Sequence, residues 1–162
     1  MASVNSPDKK GRVIVVGIDL SQISKTAFQW VLKNIYREGD TLILTHCPEL
    51  PSLPSFTFKS GLAPPVADWK EKLDQMNQEI RKLEDEYQTI CIQQKINFKA
   101  AGQSMKNAGE GILKVAVDEK ADLICVGTRG LGTVKRAILG SVSNYLVHNS
   151  LTIPVLVIPI SA

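Results

Sequence analysis

Gly127-Thr-Arg-Gly130-Leu-Gly-Thr-Val-Lys-Arg-Ala-Ile-Leu-Gly140-Ser-Val-Ser143 is the stretch whose residue types and spacing point most directly to chemistry. It starts where the apolar run Leu123-Ile-Cys-Val126 stops and ends where a helical pattern, Val142 to His148, begins. A buried strand therefore empties into a glycine-punctuated loop that feeds a helix N-terminus. Glycine lets main-chain N–H groups approach a bound group and tolerates positive φ. A helix N-terminus adds unpaired donors and the positive end of the helix dipole. Together these make an anion site, with phosphate its usual occupant. Arg129, Lys135 and Arg136 bring positive charge beside it. Spacing alone leaves a second reading open, because any tight strand-to-helix connection uses the same glycines.

The second chemical candidate is Asp19, directly after the β-branched run Arg12-Val-Ile-Val-Val-Gly-Ile18. A bare carboxylate repels phosphate. It becomes useful if Mg²⁺ lies between them or if it meets a ribose hydroxyl. It can also serve the start of the following helix, where acidic residues are favoured. Ser21 already offers an N-cap there, which leaves Asp19 available to a ligand.

The elements that would position these residues read clearly. Arg12–Ile18 and Thr41–Cys47 are predicted buried strands, joined by a helix whose inward face is Ala27, Trp30, Val31 and Ile35. A loop rich in proline follows, from Pro48 to Pro65. It leaves a strand's C-terminal end, so Phe56 and Phe58 either help to cover a ligand or belong to a disordered excursion. Val66 to Cys91 is predicted helix with a heptad seam at Trp69, Leu73, Met76, Ile80, Leu83, Tyr87 and Ile90. That seam suits a coiled-coil partner or a long helix lying on the sheet with one end overhanging. Ile96–Gly102 is a weak strand suited to an edge. Ala108–Glu119 is a helix with Ile112, Val115 and Ala116 inward. Asp122–Val126, a helix Ser141–Asn149 with Val142, Tyr145 and Leu146 inward, and a last strand Ile153–Ile158 complete the chain.

Strands alternating with helices predict an α/β fold: a doubly wound, five-stranded parallel sheet of order 3-2-1-4-5 with helices on both faces. The order reverses between strands one and four. Ligands bind outside the C-terminal strand ends at such a switch point, which would bring Asp19 and Gly127 together.

At 162 residues the chain suits a disordered tail over 1–10 and a single domain over 11–162. A net charge of +3 does not argue for nucleic acid or a membrane. Cys47, Cys91 and Cys125 have no metal-ligand spacing and read as buried thiols of a reducing compartment. The polar N-terminus lacks a signal-peptide pattern, and the expected location is cytoplasmic. No Walker A loop occurs, and Ile18-Asp19-Leu20-Ser21 lacks the glycines of a dinucleotide fingerprint. His46 and His148 stand apart, no nucleophile elbow is present, and no general base is assignable, so binding with slow or absent turnover is expected.

Gly127-x-x-Gly130, nine residues, then Gly140-Ser141 resembles the nucleotide-binding signature of the universal stress protein family. Val15-Val-Gly-Ile-Asp19-Leu-Ser21 and Ser24-Lys-Thr-Ala-Phe-x-Trp30 resemble that family's opening strand and helix. The resemblance implies a Rossmann-like fold of the adenine nucleotide alpha hydrolase-like kind, holding ATP with Mg²⁺ or Mn²⁺. It implies that backbone at Gly17, Ile18 and Asp19 and around Cys47 contacts adenine and ribose, with Asp19 on ribose or metal. Val126, Gly127, Arg129 and Gly130 would line ribose and phosphates, and Gly140, Ser141, Val142 and Ser143 would bind the phosphates. It also implies a homodimer through the last strand, Pro154 to Ile158, where an apolar edge demands a partner. Three functions stay open: an ATP-binding regulatory module of the stress response, a nucleotide-independent scaffold or chaperone-like dimer, and a slow ATPase or phosphotransferase.

Overall fold

The computed structural model describes residues 11–48, 66–102, 105, 107–128 and 139–159, with side chains of the long helix described from Lys70 onward. The tail over 1–10, the proline-rich loop with Phe56 and Phe58, and the segment holding Arg129, Gly130, Lys135 and Arg136 lie outside the described residues.

Nine elements follow in the order β1 (Val13–Gly17), α1 (Gln22–Asn34), β2 (Thr41–Thr45), α2 (Val66–Gln93), β3 (Phe98–Ala100), α3 (Ala108–Asp118), β4 (Leu123–Gly127), α4 (Ser141–Asn149) and β5 (Val155–Ile158). The strands form a five-stranded sheet of order β3-β2-β1-β4-β5, the predicted topology. All four pairings are parallel, and β1 sits centrally with Val13 opposite Thr41 on one side and Ile14 opposite Leu123 on the other. Parallel strands buried on both faces need apolar side chains in both directions, which is why β1, β2 and β4 read as continuous apolar runs.

Alternation along each strand splits the core in two. Ile14, Val16 and Cys125 face α1 and α2, packing with Ala27, Phe28, Val31, Leu83, Tyr87 and Cys91. Val15, Ile43, Ile124 and Val126 face α3 and α4, packing with Ile112, Val115, Ala116 and Leu146. In α1 the inward stripe differs from the expected one. Ser24, Ala27, Phe28 and Val31 are buried, at helical spacing, whereas Trp30 is 41% exposed. Phe28 lies one step round from Ala27 and fills the core position that Trp30 would need. Ile35 is half-buried and caps the helix.

Helix α2 runs for 28 residues. At about 1.5 Å per residue that is about 42 Å, far longer than strands of three to five residues. Its C-terminal half carries the packing, with Leu83, Tyr87 and Cys91 buried. Leu73, Met76 and Ile80 are only half-buried, as expected of an overhanging end. Opposite the site end of the sheet, Asp40 closes the β1–β2 edge. It is 3% exposed and accepts hydrogen bonds from Arg12 N (3.0 Å), Arg12 Nη2 (2.6 Å) and Arg37 N (3.0 Å).

Candidate functional site

The chain leaves β1 and β4 at the same end of the sheet, and a cleft of about 280 Å³ opens between them. Gly17, Ile18 and Asp19 form one wall, and Val126, Gly127 and Thr128 form the other. Cys47 at the end of β2 extends the floor, and Gly140, Val142 and Ser143 at the start of α4 close the far side. Nine of the expected residues therefore line one cavity: Gly17, Ile18, Asp19, Cys47, Val126, Gly127, Gly140, Val142 and Ser143. Ser141 is exposed and stands outside that lining. Its amide still belongs to the first turn of α4. Arg129 and Gly130 lie outside the described residues.

Among the described glycines of the cleft, Gly17 and Gly127 allow close approach. A Cβ on Gly17 would come 2.9 Å from Val126 Cγ1 and 3.1 Å from Ile112 Cδ1. A Cβ on Gly127 would sit 3.2 Å from both Ala27 Cβ and Ile23 Cγ2. Gly140 has φ −62° and ψ 163°, extended backbone open to any residue. Positive φ, expected of this loop, is thus not what Gly140 supplies. It is the N-cap of α4 and contributes no side-chain cap.

The N-terminus of α4 presents main-chain amides ahead of its hydrogen-bond ladder. Its ladder begins with Asn144 N donating to Gly140 O at 2.8 Å, so the amides of Ser141, Val142 and Ser143 precede it. Ser143 is 1% exposed, and its hydroxyl donates to Gly140 O at 3.0 Å. That proton is spent within the turn, which leaves the hydroxyl oxygen able only to accept.

Asp19 is held rather than loose. Its Oδ1 accepts from Ser21 N at 2.8 Å, while Ser21 Oγ accepts from Ser24 N at 3.1 Å as the cap of α1. The helix-start role expected of Asp19 is therefore present. One carboxylate oxygen organises the helix start, and Oδ2 has no hydrogen bond among the described residues. Among these residues no cluster of three or more His, Cys, Asp or Glu could cage a metal ion. A cation held at Asp19 would need further oxygens from a ligand, the usual arrangement for Mg²⁺ bound with phosphates.

Sequence reasoning missed His46 and Ser24, both of which line the cleft. His46 Nδ1 is buried without a hydrogen-bond partner among the described residues. Burial pushes the His46 imidazole below its usual range, and the Asp19 charge opposes this. The signal lay in its place one residue before Cys47, at the end of a strand that reaches the switch point. Ser24 sits on the inward stripe of α1, one turn after the cap, and polarity there was the clue to a hydrogen-bonded role.

The sequence matches the model of the Universal stress protein family over residues 11–159. Universal stress protein Sll1388 of Synechocystis sp. is 28% identical over 143 residues, covering 84% of this chain and 90% of its own. The uncharacterized protein C167.05 of Schizosaccharomyces pombe is 27% identical over 152 residues and 94% of this chain. The match takes in 24% of that protein, so this chain spans about a quarter of its length. Among solved structures, the universal stress protein family protein At3g01520 of Arabidopsis thaliana, with AMP bound, superposes with TM-score 0.62 at 20% identity, covering 93% of each chain. A universal stress protein in complex with cAMP superposes with TM-score 0.60 at 19% identity, covering 94% of this chain and 99% of its own. At those identities the likeness speaks for the fold. With a family match running from the residue before Arg12 to the residue after Ile158, and this sheet order beneath it, the chain belongs to the universal stress protein family.

Proposed function

We propose that the cleft binds ATP, with Mg²⁺ or Mn²⁺, and that the chain is a nucleotide-dependent regulatory module of the stress response with slow or no turnover. The observation that carries this is the meeting of Asp19 with the start of α4 across one cavity at the switch point, from segments distant in sequence. The donor set suits the ligand. Three amides ahead of the α4 ladder favour phosphate oxygens. Ile18, Cys47, Ile112 and Val126 give an apolar wall of the kind a base requires. Asp19 Oδ2 is placed for a ribose hydroxyl or a phosphate-bound cation. Arg129 and Gly130 belong to the same proposed phosphate loop. The AMP and cAMP complexes of two fold relatives support adenine nucleotide as the ligand class.

Slow or absent turnover is proposed on the groups that are already engaged: the Ser143 hydroxyl proton is committed to Gly140 O, and Asp19 Oδ1 is taken by the Ser21 amide, which leaves Oδ2 to the ligand. The proposal extends to one domain over residues 11–162, a cytoplasmic setting, and a homodimer through β5, the apolar edge of the sheet.

Calorimetric titration of the protein with ATP, with and without Mg²⁺, tests the reading. Saturable binding that tightens with Mg²⁺ is expected. Absence of binding at millimolar nucleotide refutes it and leaves the glycine loop a turn.

A further inference from the structure

We infer that Tyr87, far along α2, is a positioning residue for Asp19 and ties the long helix to the cleft; the functional meaning of this rests on the nucleotide reading above. Tyr87 is 1% exposed, and its ring meets Phe28 edge-on at 4.9 Å. A phenylalanine would fill that space equally well. The hydroxyl is what needs a reason. It lies 3.1 Å from Asp19 O and 3.1 Å from Ser24 Oγ. Ser24 Oγ in turn accepts from Asp19 N at 2.9 Å. If the Ser24 hydroxyl donates to Tyr87 and Tyr87 donates to Asp19 O, the bonds close a ring, and each hydroxyl gives and receives once.

The ring holds both main-chain polar groups of Asp19, its N–H and its C=O. Ser21 N holds Oδ1 of the same residue at 2.8 Å. Only Oδ2 is left, and the backbone on either side of it is fixed. Burial pushes the Tyr87 hydroxyl up to about 12, so it stays a proton donor across the physiological range. An ion pair from Lys25 to Glu86 at 2.7 Å joins α1 to α2 beside the ring. Thus the sole side-chain hydroxyl that α2 buries in this core is spent on the residue proposed to meet ribose or metal.

The test compares Tyr87→Phe, Asp19→Asn and the double variant in titrations with ATP and Mg²⁺, with amide hydrogen exchange on the nucleotide-free proteins. Tyr87→Phe should weaken binding about five- to tenfold, the value of one hydrogen bond. In the Asp19→Asn background it should cost nothing further, because its effect passes through Asp19. An equal loss in both backgrounds overturns the positioning role. Exchange at the Asp19 and Ser24 amides should quicken in Tyr87→Phe while that of β4 stays put. Unchanged exchange at Asp19 overturns the inference whether or not nucleotide binds. If the wild type takes no nucleotide, the ligand reading fails alone, and the exchange result still decides whether Tyr87 holds Asp19. Ser24→Ala opens the ring from its other side, should reproduce both effects, and serves if Tyr87→Phe folds poorly.

Discussion

Gly140→Asp separates a phosphate site from a turn, because the two readings give opposite signs for stability and binding. Gly140 is the N-cap of α4, with φ −62° and ψ 163°. Aspartate adopts that backbone freely and is among the best N-caps, so the helix gains a few tenths of a kcal/mol from the cap. A negative charge at the dipole's positive end adds about 0.3–1 kcal/mol. Stability should therefore hold or rise. Binding should collapse. The new carboxylate takes the amides of the first turn for itself and stands about 4–5 Å from any phosphate placed there. At an effective dielectric of about 20, one unit charge at that range repels by about 3–4 kcal/mol. That is a loss in ATP affinity of about 10²- to 10³-fold. Calorimetric titration gives the affinity, and a thermal melt gives the stability. Adenosine, which lacks phosphate, is the internal control and should lose little. An ATP affinity equal to wild type in a variant that melts no lower would show that no phosphate sits at α4. The reasoning from amides to anion would then be wrong.

Other expectations follow from the rest of the molecule. Asp40→Asn should lower unfolding free energy by about 1–3 kcal/mol in urea titrations at pH 7, through loss of charge-assisted hydrogen bonds. Burial alone would raise the Asp40 carboxyl, but hydrogen bonds from the Arg12 side chain and from the Arg12 and Arg37 amides hold it below its usual value. Its stabilisation is therefore complete above the unfolded value, about 3.9, and is lost as pH falls through the lower folded one. The gap between wild type and variant should close below about pH 4; a gap unchanged there refutes the assignment. Gly111→Ala would place a Cβ 2.6 Å from Cys47 Sγ. It should destabilise by about 1–3 kcal/mol, and Cys47→Ala should relieve much of that, with chemical denaturation as the readout. Light scattering at micromolar concentration should return a dimer mass, and a monomer would remove β5 as a pairing edge.

The fold was legible because parallel strands covered on both faces leave unbroken apolar runs, and Val13–Gly17, Thr41–Thr45 and Leu123–Gly127 are such runs. The strand order came with the element order. Ser21 as a cap and Ser141 as the first residue of α4 came from local rules. The switch-point rule brought Asp19 and Gly127 together, but the finer side-chain pairings between elements escaped. Trp30 and Phe28 both fit a helical stripe, and only docking on β1 and α2 chooses between them. His46 looked isolated because its neighbours in the cleft come from β1, α3 and α4. Asp40 carries no local sign of its role, since nothing nearby in sequence marks Arg12 as its partner. Glycine was expected to allow both close approach and positive φ; close packing is what Gly17 and Gly127 provide, and Gly140 is extended.

That difference bears on how the site recognises anything at all. Gly17 packs on Val126 and Ile112, Gly127 on Ala27 and Ile23, and Gly111 on Cys47. Each contact lets a strand end or helix close in until no side chain fits between, so the cleft's floor is set by backbone approach. A floor built this way cannot shift to suit a ligand without unpacking both cores, since Ala27 belongs to one and Ile112 and Val126 to the other. The polar groups that line it include main-chain amides at α4, the His46 imidazole and one carboxylate whose backbone is clamped on both sides. Under the nucleotide reading proposed above, recognition rests on the placement of N–H groups, and variants that move the backbone should harm binding more than those that trim exposed side chains.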